Sequence, residues 1–142
     1  MPGDRNDLRQ LALLEAPDIA AIAALAEEAF SGLPETFRRL CADLVIQVEE
    51  FASDEVLDDL RAESEFDIMG LFQGVGLAAD EAVPATGRLP NMVLLYRRPI
   101  LDYWAEHNET LGAVVTHVLV HEIGHHFGLS DAGMEAIEAK TG

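Results

Sequence analysis

One eleven-residue stretch constrains this chain more than any other: His121-Glu122-Ile123-Gly124-His125-His126-Phe127-Gly128-Leu129-Ser130-Asp131. It has the spacing H-E-x-x-H-x-x-G-x-x-D and closes an apolar run that begins near Leu111. On an α-helix residues advance about 100° each, so His121 and His125 stand roughly 40° apart and about 6 Å along the axis. Two imidazoles so placed converge on one ion. Glu122 lies beside that stripe, within reach of a water on the metal without being a ligand itself. The motif works only as a helix, yet Val114, Val115, Val118, Val120 and Ile123 are mediocre helix formers. Burial is therefore expected to override propensity. From average residue usage, a chance H-E-x-x-H in a chain this long has a probability on the order of a few in a thousand. A buried helix with two merely satisfied histidines is the weaker reading.

Zinc suits these ligands, because imidazole nitrogen is a borderline-soft donor and a catalytic site takes three protein ligands plus one open position. The third ligand must come from the short remainder of the chain. Gly128 is the expected helix stop, since glycine takes the left-handed conformation without a Cβ penalty. The turn then swings residues 129–131 back alongside the helix, which makes Asp131 the leading candidate. Glu135 and Glu138 compete only if a following helix folds back over the metal. His126 points about 140° from His121 on the wheel and is expected to face another surface. His117 shares the stripe one turn earlier. Residues 117, 121 and 125 span about 12 Å of helix, so a ligand role for His117 is not expected.

Residues 121–131 resemble the zinc-binding signature of the zincin metallopeptidases, in metzincin spacing but with Asp131 where metzincins carry a third histidine. Gluzincins draw their third ligand from a glutamate well downstream, and only seventeen residues follow His125. The closer resemblance is to a family of small, single-domain bacterial proteins, the zincin-like metallopeptidases, with H-E-x-x-H-x-x-G-x-x-D near the C-terminus. It runs from about Leu44 to Glu138 and includes Leu95-Tyr96-Arg97-Arg98-Pro99-Ile100-Leu101-Asp102-Tyr103-Trp104. The resemblance implies a zincin-like α+β fold and peptidase activity.

With 142 residues, nearly half of them hydrophobic, a single domain over 1–142 can bury a core without staples, with residues 1–10 expected to be frayed or disordered. Cys41 is the only cysteine, so no intrachain disulfide forms, and it reads as small apolar filler. Residues 1–7 lack a charged n-region followed by an apolar core, and no stretch approaches the roughly 20 apolar residues of a membrane span. A cytoplasmic location is the default expectation. A formal net charge of −17 argues against nucleic acid or anionic membrane as partner, because phosphate binding needs clustered Lys and Arg. The same field favours divalent cations and basic peptides.

Along the chain, Ile19, Ile22, Leu25, Ala26, Ala29 and Phe30 have helical spacing behind Asp18 as N-cap, and Gly32 and Pro34 end that helix. Residues 34–41 read as a second, short helix with proline in its first turn. Leu44 to Glu49 alternates as a half-buried strand, and Ser53 to Leu60 looks like a capped turn of helix. The acidic run 49–67 is most simply a solvated face. Ile68 to Gly76, with three glycines, reads as an irregular strand, and 77–90 as a long loop at the rim of the site. Met92 to Tyr96 is a second apolar strand, followed by a short helix from Ile100 to Ala105. Asn108 is placed to cap the motif helix. Residues 131–140 form a final helix with Met134 and Ile137 inward. The expected architecture is α+β: a small twisted sheet of three or four strands packed on the buried motif helix, with flanking helices.

The leading function is a zinc-dependent metallopeptidase acting on a peptide or protein substrate. His121, His125 and Asp131 hold the ion, and Glu122 takes a proton from the attacking water as general base. Zincins usually add the substrate to an exposed strand edge, which Met92–Tyr96 or Leu71–Gly76 is placed to provide. Tyr96, Tyr103 and His126 are candidate transition-state donors, though packing is the commoner role for each. Two other classes compete. A metal-binding or interaction module would keep the site without useful turnover. A metal-dependent endoribonuclease would share a related histidine spacing, but that class lacks Glu122 and carries histidine in place of Asp131.

Overall fold

A computed structural model describes residues 5–41, 43–74 and 91–141. Among them are seven α-helices and one three-stranded sheet, an α+β architecture as the sequence predicts. The helices are α1 (Arg5–Ala12), α2 (Ile19–Ser31), α3 (Glu35–Arg38), α4 (Asp54–Asp59), α5 (Arg97–Glu106), α6 (Leu111–His126) and α7 (Asp131–Thr141). The strands are β1 (Val45–Glu49), β2 (Gly70–Gln73) and β3 (Met92–Tyr96). Short 3-10 turns occupy Arg39–Cys41 and Glu65–Asp67. Where a frayed 1–10 is expected, Arg5–Ala12 are helical, with Leu8 and Leu11 exposed. No helix among the described residues is long and apolar enough to cross a membrane.

The sheet order is β1-β3-β2, with β1 parallel and β2 antiparallel to β3. Its central strand explains its own composition. Side chains alternate across a strand, so Val93 and Leu95 enter the main core while Met92, Leu94 and Tyr96 enter a second cluster with Ala52 on the opposite face. Both faces are covered, which is why Met92-Val93-Leu94-Leu95-Tyr96 carries no polar alternation. This position also corrects one expectation. Met92–Tyr96 has neighbours on both sides and offers no edge to a peptide; among the described residues β1 and β2 are the edge strands.

Helix α6 packs across β2 and β3, and α2 packs on both α6 and β1. Val114, Val115, Val118, Val120 and Ile123 are all buried in the main core. Their helix-propensity deficit is under about 0.7 kcal/mol each, whereas burying such a side chain stabilises by roughly 1.5–3 kcal/mol. Burial wins. The helix starts later than the Asn108 cap implies: the Thr110 hydroxyl accepts the Ala113 N–H at 3.1 Å and is the actual N-cap. Likewise α5 begins at Arg97 rather than Ile100, because Pro99 sits in the first turn, where a missing N–H costs nothing. Asp18 and Ser53 cap α2 and α4 as their positions predict. The segment 77–90 lies outside the described residues.

Glycine fixes how α6 ends. Gly128 has φ +77°, the Leu129 N–H reaches the Gly124 carbonyl at 2.8 Å, and the Gly128 N–H reaches that of His125 at 3.2 Å. These are the two bonds of a Schellman motif. The chain then reverses into α7, whose first turn is capped by the Ser130 hydroxyl accepting the Gly133 N–H at 3.0 Å. At the crossing, a Cβ on Gly124 would stand 2.4 Å from Met134 Sδ and 2.8 Å from its Cγ, and Met134 is fully buried. Gly124→Ala is therefore expected to destabilise by about 1–3 kcal/mol, the usual cost of overpacking, as measured by denaturant unfolding. An unchanged midpoint would show that Met134 relocates freely.

Candidate metal centre

Three elements build the site. Helix α6 supplies His121, Glu122 and His125; the tight turn after Gly128 returns Asp131 at the start of α7; and β2 backs onto Glu122. The ligand atoms of His121, His125 and Asp131 all lie within 4.8 Å of one another. His125 Nε2 is 3.9 Å from Asp131 Oδ1, and the two imidazoles of the motif stand edge to face with centroids 5.6 Å apart. Ligands on one tetrahedral zinc with bonds of about 2 Å are separated by roughly 3.3 Å, so the set needs only a modest closure. His121 is mostly buried, and its Nε2 has no hydrogen-bond partner. Glu138 Oε2 lies 3.5 Å from it, and a nitrogen without a hydrogen bond among imidazoles and carboxylates is what a metal site provides. The residues fit zinc.

The electrostatics favour the state a metal needs. Burial, with the neighbouring His117 adding to it, lowers the His121 pKa below the ordinary 6.5, which keeps the imidazole neutral. A consequence for the metal-free chain follows. The native state resists protonation here, so below pH 6.5 the unfolded chain takes up more protons and this group's contribution to stability falls as pH falls. In chelator, the loss of thermal stability between pH 7 and 5 is expected to be smaller in His121→Gln than in wild type. Equal losses would contradict it.

Glu122 is half-buried, and burial raises its carboxyl above the usual 4.5, opposed by His125 and by a hydrogen bond from the Phe72 backbone. That bond locates the carboxylate on the sheet. Tyr96 N–H donates to Met69 O at 3.0 Å, and antiparallel pairing alternates with period two, so the Phe72 N–H points out of the free edge of β2. Gly70 permits the approach: a Cβ there would meet Val118 Cγ1 at 2.8 Å and Glu122 Cγ at 3.2 Å. The general-base candidate and the free strand edge are thus adjacent.

The remaining residues sort clearly. His126 stacks on Phe72 at 4.0 Å and belongs to neither group of converging ligands, as its wheel position predicts. Glu135 is exposed and also belongs to neither. Tyr103 stacks on His107 and donates to Glu109 at 3.4 Å, while Tyr96 is buried in the second cluster. The Cys41 thiol is buried and pushed up to about 11, which excludes it as a nucleophile at neutral pH. Sequence reasoning missed one contact. His117 Nδ1 lies 2.8 Å from Glu138 Oε1, and Glu138 Oε2 lies 3.5 Å from His121 Nε2. The signal was present in the i, i+4, i+8 histidines, whose common face α7 folds back along.

A search of curated proteins finds no match to this chain. The family model described as "Zincin-like metallopeptidase" matches residues 41–141, from the buried Cys41 through the whole of the sheet, α6 and all of α7. The chain belongs to the zincin-like metallopeptidase family.

Proposed function

We propose that this protein is a zinc-dependent metallopeptidase in which His121, His125 and Asp131 hold the ion and Glu122 is the general base. The observation that carries the reading is the convergence of those three ligand groups within 4.8 Å of one another, with the Glu122 carboxyl close enough to His125 to be influenced by it. When bound, zinc supplies Lewis acidity toward a peptide carbonyl and an attacking water. Glu122 takes the proton from that water and later delivers one to the leaving amine. Its raised pKa suits the first task, since a carboxylate that takes up a proton more readily is the stronger base. The free edge of β2 receives the substrate backbone as an added strand, with the Phe72 N–H passing from Glu122 to the peptide as it docks.

Charge favours this over the nuclease reading. The chain carries 26 acidic against nine basic residues, a formal net charge of −17. Such a field repels a polyphosphate backbone and attracts a basic peptide.

The test is an unbiased peptide-library digest by zinc-loaded protein, with Glu122→Gln at matched zinc content as control. Cleavage by wild type alone is expected. Equal cleavage patterns from the two proteins would overturn the assignment of Glu122. No cleavage by fully loaded wild type would leave a metal-binding module as the better description.

A further inference from the structure

Helix α7 runs back along α6 far enough to bring a second carboxylate to the histidine stripe. Glu138 pairs with His117 at 2.8 Å and approaches His121 Nε2 at 3.5 Å, and the rings of His117 and His121 lie 4.0 Å apart. The ligand atoms of His117, His121 and Glu138 all fall within 4.8 Å of one another. This is a second set of two imidazoles and a carboxylate, with the same donor types as the first.

The two sets share His121 but not a centre. Asp131 and Glu138 are seven residues apart on α7, about 10.5 Å of helix, and the paired histidines 117/121 and 121/125 are offset by one turn of α6. The two carboxylates fall in separate converging sets. The second set also lies on the wrong side for catalysis. On the wheel Glu122 stands about 60° from His125 but about 140° from His117, and the Glu122 carboxyl is influenced by His125 rather than by His117. A route in from solvent exists on that side. His117 and Glu138 line a cavity of about 660 Å³ whose wall also carries Glu28 and Glu109, a field that draws cations.

We infer that the chain holds a divalent ion at either of two overlapping positions that share His121: a working position with His125 and Asp131, and a parking position with His117 and Glu138. The inference rests on the metal reading of the motif. Because one imidazole serves both, the positions exclude each other, and an ion parked beside Glu138 is out of reach of Glu122. Zinc content then overstates the fraction of chains competent for turnover.

Zinc affinity of the full chain, measured by competition with a chromophoric chelator, separates the cases, with circular dichroism confirming that each variant folds. Asp131→Ala is expected to keep one zinc, weakened by no more than about 100-fold, the scale of losing a supporting partner. His117→Ala added to Asp131→Ala, or Glu138→Gln added to it, is expected to weaken binding by a further factor of about 100 or more. In Asp131→Ala, zinc should also move one His117 ring nitrogen to the shift of a metal-ligated imidazole in 15N-histidine NMR spectra, a change that mere proximity to a zinc-bound His121 would not produce. If Asp131→Ala loses zinc as completely as either double variant, or if neither His117 ring nitrogen makes that move, the parking position is refuted while the peptidase reading stands. If His121→Ala binds zinc as wild type does, both readings fall together.

Discussion

Glu122→Gln will keep its zinc and lose turnover by a factor of about 10²–10⁴, the usual contribution of a positioned general base. The amide fills the same space beside Gly70 and can still meet the Phe72 backbone, so the side chain's packing is retained. What it cannot do is accept a proton. The same change removes a carboxylate that burial disfavours in its charged form, so the variant should be no less stable than wild type near neutral pH. The wild-type rate is expected to fall on the acid side, as protons compete for the Glu122 carboxylate and displace the metal from its imidazoles. Steady-state rates at matched zinc content check both statements. A variant that retains wild-type turnover removes Glu122 from the chemistry.

His121→Ala is expected to have the larger effect on metal. His121 is the one residue common to both groups of converging ligands, so its loss leaves neither set with two imidazoles. Partners outside the ligand sphere already cost 10–100-fold in affinity when removed, and loss of a direct ligand should exceed about 100-fold. The nitrogen it removes has only the Glu138 carboxylate near it, at 3.5 Å, so the structural cost is expected to be small beside the loss of metal. Equilibrium dialysis against buffered zinc measures the difference. Retention of wild-type affinity would mean that zinc binds somewhere else.

Much of this site was legible in the sequence because its parts are local. The histidine pair, Glu122 and the glycine stop all follow from helix periodicity and one left-handed residue, and Gly128 does end α6 where that reasoning puts it. Asp131 follows from the same turn. The long-range parts were harder. Which strand keeps a free edge depends on sheet order, and Met92–Tyr96 and the segment around Leu71 look alike as apolar runs until β1 is seen to pair with β3. The Asn108 cap failed because Thr110, two residues on, offers the same chemistry and fits the register better. Glu138 was weighed only as a rival ligand. The angle at which α7 returns decides that it meets His117 and His121 instead of His125, and nothing in the spacing encodes that angle.

The most direct test of the central claim is anomalous diffraction at the zinc absorption edge from crystals of the zinc-loaded chain. The expected result is a strong peak within bonding distance, about 2.0–2.1 Å, of a His121 ring nitrogen, with a second histidine of α6 and a carboxylate of α7 completing the set. A zinc peak elsewhere, with the imidazoles of His121 and His125 turned into the protein and bonded there, would contradict it.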